Sequence, residues 1–170
     1  MSIIHKLYYS PVKSLSFVKT KTLEIKKKVG IKSDRIYAFT RFLDQKESKN
    51  YEKNPKKRKL NYFLTVKNTP YLQNFNFEVK KKTMIIYKKK KIIYKESILN
   101  KKKISDFFVN IIKKKTFIKS TQFLHNKKKP FFDTMPLNSI SLINVNSILD
   151  FEKKIKFKIE HERFRANIYI

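Results

Sequence analysis

Residues 163–170 read RFRANIYI, and the fold and function that we predict from the sequence depend mainly on this stretch. Side chains two residues apart share one face of a strand, so Arg163, Arg165 and Asn167 are predicted to lie together. Arginine presents a planar fork of donors suited to phosphate or carboxylate, and asparagine adds a donor and an acceptor. The stretch predicts an anion-binding strand. Because it stops at the last residue, we expect a shortened chain or one that a partner completes.

The composition sets the outer limits. A length of 170 residues allows one domain or two small ones. The 15 Phe and 9 Tyr are enough for a packed core, which argues against wholesale disorder. No stretch approaches the ~18 consecutive apolar residues of a membrane span, and the first residues are too short an apolar run for a signal peptide. We therefore expect a cytoplasmic protein with no membrane partner.

The net charge of +29 suggests nucleic acid as a partner, because lysine and arginine neutralise phosphates. The distribution of the lysines argues otherwise. Lysine runs recur at 26–28, 80–82, 88–91, 101–103, 113–115 and 127–129. Most of them separate apolar runs, where turns belong, so we expect solvated turns and no specific nucleic-acid surface. A small basic nucleic-acid-binding protein remains the alternative function.

Apolar periodicity predicts a mainly β (α+β) chain. Strands are predicted at 3–9, 18–25, 36–42, 62–66, 75–79, 83–87 and 92–94, the last three forming a meander. Apolar residues at 104, 107, 108, 111 and 112 follow the spacing of an amphipathic helix. A second helix is predicted near Ser147, where Ser147 and Asp150 fit a capping box. The pattern indicates many short strands and one or two short helices.

Three polar segments stand in order along the chain: YSPVKS at 9–14, GIKSDR at 30–35 and RFRAN at 163–167. Together they resemble the MOSC family, the C-terminal domain of molybdenum-cofactor sulfurases with its N-terminal β-barrel companion. The family's segments read Tyr-Pro-Val-Lys-Ser, Gly-Leu-x-x-Asp-Arg and Arg-Phe-Arg-Pro-Asn. This chain departs from them by an inserted Ser10, by Ile31 in place of Leu and by Ala166 in place of Pro. The resemblance runs from about residue 3 to 170 and is poor between 45 and 129.

The resemblance implies an N-terminal MOSC-type β-barrel domain over 1–118, followed by an incomplete MOSC β-barrel over 119–170. It implies that the chain binds the molybdenum cofactor, molybdopterin, between the two domains. The implied cofactor-binding residues are Lys13, Ser14, Arg35, Ser147, Arg165 and Asn167. Lysine, arginine and a helix N-terminus are suitable partners for the phosphate of this cofactor. A second chain that completes the barrel is the other implied partner.

Some of these residues have a structural alternative. Lys13 could be one of many solvated lysines, and Arg35 could form a structural ion pair with Asp34. Arg163 is expected to brace the loop before the strand, and Asp133 to be a turn or capping residue. The three histidines lack a spacing suited to a metal ion, so we predict no metal ligands in the chain. We also predict no catalytic residues in it.

The chain contains no cysteine, which excludes disulfides, thiolate metal sites and a cysteine nucleophile within it. The MOSC domain of the family continues past the Arg-Phe-Arg strand and contains the cysteine that ligates molybdenum or carries sulfur. Chemistry that needs a thiolate cannot occur without one. We therefore expect a relative of the cofactor sulfurases and molybdenum-dependent reductases that is inactive alone. A degraded gene fragment without activity is a further alternative.

Overall fold

The computed structural model describes residues 3–132 and 139–170. Within them the chain forms eleven short strands and three α-helices. The strands are β1 (Lys6–Tyr9), β2 (Val18–Thr20), β3 (Ile25–Lys26), β4 (Gly30–Ile31), β5 (Tyr37–Phe39), β6 (Phe75–Lys80), β7 (Thr83–Lys88), β8 (Lys91–Ser97), β9 (Phe123–His125), β10 (Leu142–Ile143) and β11 (Ile168–Tyr169). The helices are α1 (Gln45–Lys53), α2 (Lys101–Ile112) and α3 (Val145–Ile155). The mainly β, α+β character is as predicted.

The strands form four small sheets. The largest has the order β10–β11–β1–β2, and the others are β3–β4, β5–β9 and β6–β7–β8. In the largest sheet β11 is antiparallel to β1, with Lys6 opposite Tyr169, and parallel to β10. Among the described residues the sheets are not closed into a barrel, so the MOSC-type barrels stay an expectation of the resemblance.

The main core lies where the meander β6–β7–β8 and helix α2 pack on β5 and β9. Phe39 and Phe108 are fully buried there, with ring centroids 4.3 Å apart, and Phe77 packs edge-on against both rings. The predicted helical stripe is confirmed, because Ile104, Phe108 and Ile112 are all fully buried. Each such side chain stabilises the fold by roughly 1.5–3 kcal/mol through its burial.

A second, smaller core joins the two ends of the chain. Tyr8 of β1 packs against Ile148 of α3 and against Tyr169 of β11. Its ring is stacked on Phe17 at 4.2 Å between centroids. Pairings thus cross the predicted boundary at residue 118, since β1 pairs with β11 and β5 with β9. The division into domains 1–118 and 119–170 stays a prediction.

The predicted strand at 62–66 is wrong. Residues Leu60–Tyr62 form a 3-10 helix, and only Phe63 makes an isolated bridge, to Thr40. The cause is a local turn, in which the Asn68 side chain accepts a hydrogen bond from the Thr65 N–H and donates one to the Phe63 carbonyl. Side chains that satisfy the backbone in this way compete with a strand ladder.

The predicted strand over 163–170 is also corrected. Residues His161–Phe164 form a 3-10 helix, and Arg165 follows in the left-handed conformation at φ 52°. Strand β11 spans only Ile168–Tyr169, so Arg163, Arg165 and Asn167 do not share a strand face. Because β11 has a neighbour on each side, the edges of this sheet are β2 and β10.

Candidate anion-binding site

The polar segments 9–14, 30–35 and 163–167 meet around the buried carboxylate of Asp34. Its Oδ1 accepts a hydrogen bond from the Ser10 N–H at 2.5 Å, and Arg35 donates to its Oδ2. Arg35 has a positive φ of 51°, and its backbone N–H donates to the Ser10 carbonyl at 2.6 Å. The ion pair considered as the structural alternative for Arg35 is therefore present. Burial raises the pKa of Asp34, although the charge of Arg35 and the Ser10 N–H oppose this shift.

Arg165 contacts the N-terminal segment from a left-handed backbone conformation at the end of the 3-10 helix His161–Phe164. Its Nη2 donates to the Ser16 carbonyl at 2.6 Å, and the guanidinium lies over the Phe17 ring, 5.3 Å from the ring centroid. Burial and the nearby charge of Arg35 lower the pKa of Arg165. Arg165 thus braces the turn that carries the predicted Lys-Ser pair.

Lys13 lies beside Arg35 but is packed inside the molecule, with 2% of its surface exposed. Its Nζ donates to the Phe131 carbonyl at 3.2 Å. Burial, together with the charges of Arg35 and Arg58, lowers the pKa of Lys13 to about 7. The solvated alternative for Lys13 is wrong, because the side chain is buried.

Ser14 and Arg165 line one open cleft of about 730 Å³. The described residues that line it are Ser14, Leu15, Phe17, Val66, Gln73, Asn74, Phe75, Asn76, Glu160, Glu162, Arg163 and Arg165. Ser14 is at a positive φ of 60°, at the end of the tight turn after Pro11. The cleft therefore combines a hydroxyl and two guanidinium groups with amide and aromatic side chains and with the carboxylates of Glu160 and Glu162.

Sequence reasoning missed the amide side of this cleft. Gln73, Asn74 and Asn76 come from the segment that resembles the family poorly, and no local pattern marks them. Asn76 is fixed to the N-terminal segment, since its Oδ1 accepts a hydrogen bond from the Phe17 N–H at 3.1 Å. Arg163 was expected only to brace a loop, yet it is exposed and lines the cleft.

One carboxylate of the cleft is neutralised by partners on β1. Glu162 Oε1 accepts hydrogen bonds from Lys6 Nζ at 2.9 Å and from the Tyr8 hydroxyl at 2.8 Å. These bonds lower the pKa of Glu162 to about 2. Burial, together with the hydrogen bond to Glu162, raises the pKa of Tyr8. The negative charge of Glu162 is thus offset by Lys6 and does not cancel the arginines.

Asn167 and Ser147 are not among the described residues that line the cleft. Asn167 is 2% exposed, and its side chain donates to the Tyr8 carbonyl at 3.2 Å and accepts from the Ser141 hydroxyl at 3.0 Å. Ser147 is exposed and is the third residue of α3, because the helix begins at Val145 with Asn144 as its cap. The capping box predicted at Ser147 is therefore wrong.

The structure brings Ser14 and Arg165 to one cleft and places Arg35 near enough for its charge to lower the pKa of both Lys13 and Arg165.

Within residues 3–132 and 139–170 no group of three or more His, Asp or Glu side chains could hold a metal ion. Asp133 lies outside the described residues. In the described part of the chain no helix has both the length and the apolar character to cross a membrane. The chain matches no protein-family model, no curated protein and no solved structure.

Proposed function

We propose that the chain binds the molybdopterin cofactor, with the phosphate and the pterin held in the cleft lined by Ser14, Arg163 and Arg165. The observation that carries the proposal is the meeting of these three donors, which come from opposite ends of the chain, at one cleft. Charge-assisted hydrogen bonds from arginine to phosphate are stronger than neutral ones, so two guanidinium groups suit this ligand.

The other lining residues suit a pterin ring. Gln73, Asn74 and Asn76 offer amide donors and acceptors, and Phe17, which is stacked on Tyr8, adds apolar surface beside them. The volume of about 730 Å³ falls in the usual range of about 300–1,000 Å³ for ligand pockets. The residues present therefore fit a planar heterocycle that carries a phosphate.

The roles implied by the resemblance divide into two groups. Ser14 and Arg165 would contact the ligand, together with Arg163. Lys13 and Asn167 are almost fully buried and bonded within the protein, so we assign them to holding the site in place. Arg35 holds the Ser10 turn through its backbone and through Asp34.

The bound cofactor would supply the molybdenum and sulfur chemistry of the related sulfurases and reductases. The chain has no cysteine, so it provides no thiolate to that chemistry. Its own residues bind the phosphate and orient the pterin. The proposed function is therefore cofactor binding, without sulfur transfer by this chain alone.

A phosphorylated pterin is the probe for the test, with its fluorescence change measured at fixed salt. Ser14→Gly removes the hydroxymethyl side chain and keeps the positive φ, because glycine adopts that conformation freely. Arg163→Gln removes an exposed charge that no described side chain pairs with in a salt bridge. Each variant is expected to weaken binding about tenfold, which corresponds to about 1.4 kcal/mol.

Lys56→Gln is the matched control, because Lys56 is exposed in another 3-10 helix and lies outside the cleft. It is expected to bind like the unmodified chain. The unphosphorylated pterin is expected to bind more weakly than the phosphorylated one. Equal binding by all variants, or equal binding of the two pterins, would overturn the proposal.

A further inference from the structure

Helix α3 and Phe157, which lies two residues after the end of the helix, leave large apolar side chains exposed. Of the helix residues only Ile148 is fully buried. Leu149, Phe151 and Ile155 are 40–47% exposed, and Phe157 is 65% exposed. Isolated exposed apolar residues are normal, but several on one short element indicate an interaction surface.

Two of these side chains lie on one cleft of about 410 Å³ at the end of α3. We call this cleft, lined by Leu149, Lys153, Lys156, Phe157 and Lys158, the α3 patch. Lys156 caps the helix in the left-handed conformation at φ 54°, and the Phe157 N–H donates back to the Glu152 carbonyl at 3.3 Å. The chain therefore folds Phe157 back over the helix end beside Leu149.

Three lysines line the apolar surface of the α3 patch. The remaining lining residue, Glu152, is engaged elsewhere, because its Oε1 accepts a hydrogen bond from the Ile159 N–H at 2.6 Å and lies 3.7 Å from His161 Nε2. Lysine carries its charge on a long apolar stem, so its stem extends an apolar surface while its ammonium group stays in water. The α3 patch thus presents apolar side chains and positive charges side by side.

An occupant of this surface has to be apolar and anionic at once. A second copy of the chain fits poorly, since two copies would bring the same lysines together and each copy carries a net charge of +29. A membrane of anionic lipids offers both properties, because its acyl region accepts Leu and Phe while its headgroups attract lysine.

We propose that the α3 patch is a peripheral binding site for an anionic lipid membrane, with Leu149 and Phe157 inserted at the headgroup boundary. The helix lies on the surface and does not cross it. This departs from the expectation, drawn from the sequence, that the chain has no membrane partner. The proposal is independent of cofactor binding in the other cleft.

Co-sedimentation with lipid vesicles tests the proposal. We expect binding to vesicles that contain phosphatidylglycerol and little binding to vesicles of phosphatidylcholine alone. The double variant Leu149→Ser with Phe157→Ser is expected to bind phosphatidylglycerol vesicles at least tenfold more weakly. The double variant Phe117→Ser with Leu99→Ser is the matched control, because Phe117 and Leu99 are 95% and 77% exposed and do not line the patch; its binding is expected to stay within twofold of the unmodified chain.

A second pair of variants separates the patch from the general charge of the molecule. Lys153→Gln, Lys156→Gln and Lys158→Gln together are expected to weaken binding more than Lys89→Gln, Lys90→Gln and Lys91→Gln, which remove the same charge at the turn from β7 into β8. Equal loss in the two triple variants would overturn the proposal in favour of non-specific attraction. Absence of vesicle binding would also overturn it, and self-association that Phe157→Ser abolishes would identify a second copy as the occupant.

Discussion

Single polar side chains near the two ends of the chain mainly hold these ends together. Asp34 binds the Ser10 N–H, Arg165 binds the Ser16 carbonyl, and Asn167 binds the Tyr8 carbonyl. Each is a residue type that sequence reasoning associates with ligands. Buried polar groups are stable only when they are hydrogen-bonded, so their partners in the protein explain much of their placement.

The stabilising contribution of Glu162 is expected to be lost in acid. Its folded pKa of about 2 lies below its ordinary value of 4.5, so its contribution is present above pH 4.5 and is lost as the pH falls towards 2. Glu162→Gln should lower the free energy of unfolding at neutral pH by about 1 kcal/mol, a value reduced for solvent screening because both partners are more than a third exposed. Urea unfolding between pH 2 and 7 measures this. A variant whose stability falls between pH 4.5 and 2 as steeply as that of the unmodified chain would contradict it.

Among the secondary-structure elements, the apolar periodicity of the sequence predicted those that depend on interactions between residues close in sequence. The meander at 75–94 and the stripe of α2 follow from residues close in sequence, and both are confirmed. The strand at 163–170 was mispredicted, because the conformation of Arg165 accompanies contacts with Ser16 and Phe17 far along the chain. The same holds for the cleft: the segments around Ser14 and Arg165 were found from their motifs, whereas Gln73 and Asn76 reach it only through the tertiary fold.

Strand β11 is expected to depend on Asn167. Asn167→Ala should lower the free energy of unfolding by about 2–3 kcal/mol, since the buried Tyr8 carbonyl and the Ser141 N–H both lose a partner. Denaturant unfolding measures the change. Asn110→Ala is the control, because Asn110 is exposed on α2 and its side chain bonds only to the exposed Lys113 in the described structure. A loss as small in Asn167→Ala as in this control would contradict the role of Asn167.

At the scale of the whole molecule, the lysine runs lie on turns, helix ends and exposed strand ends, as predicted. Every lysine of the six runs is exposed except Lys101, which is half-buried and pairs with Glu52. Strand β11 lies between β10 and β1, so the open edges of this sheet are β2 and β10. Helix α3 and Phe157 carry several of the exposed large apolar side chains.

Self-association is expected to increase with ionic strength. A net charge of +29 keeps copies apart in dilute salt, and salt shortens the range of this repulsion to about 10 Å at 0.1 M. Static light scattering across a sodium chloride series measures the effect. Scattering that falls as salt is added would contradict this prediction.

The pairing of β1 with β11 also determines the order of events during synthesis. Lys6 pairs with Tyr169, so one edge of β1 cannot be paired until nearly the whole described chain has left the ribosome. At about 5–20 residues per second, the wait is on the order of 10–30 s. The strands of the meander pair with near neighbours and need no such delay. A nascent chain therefore carries a finished meander beside an unpaired β1 edge, to which chaperones can bind.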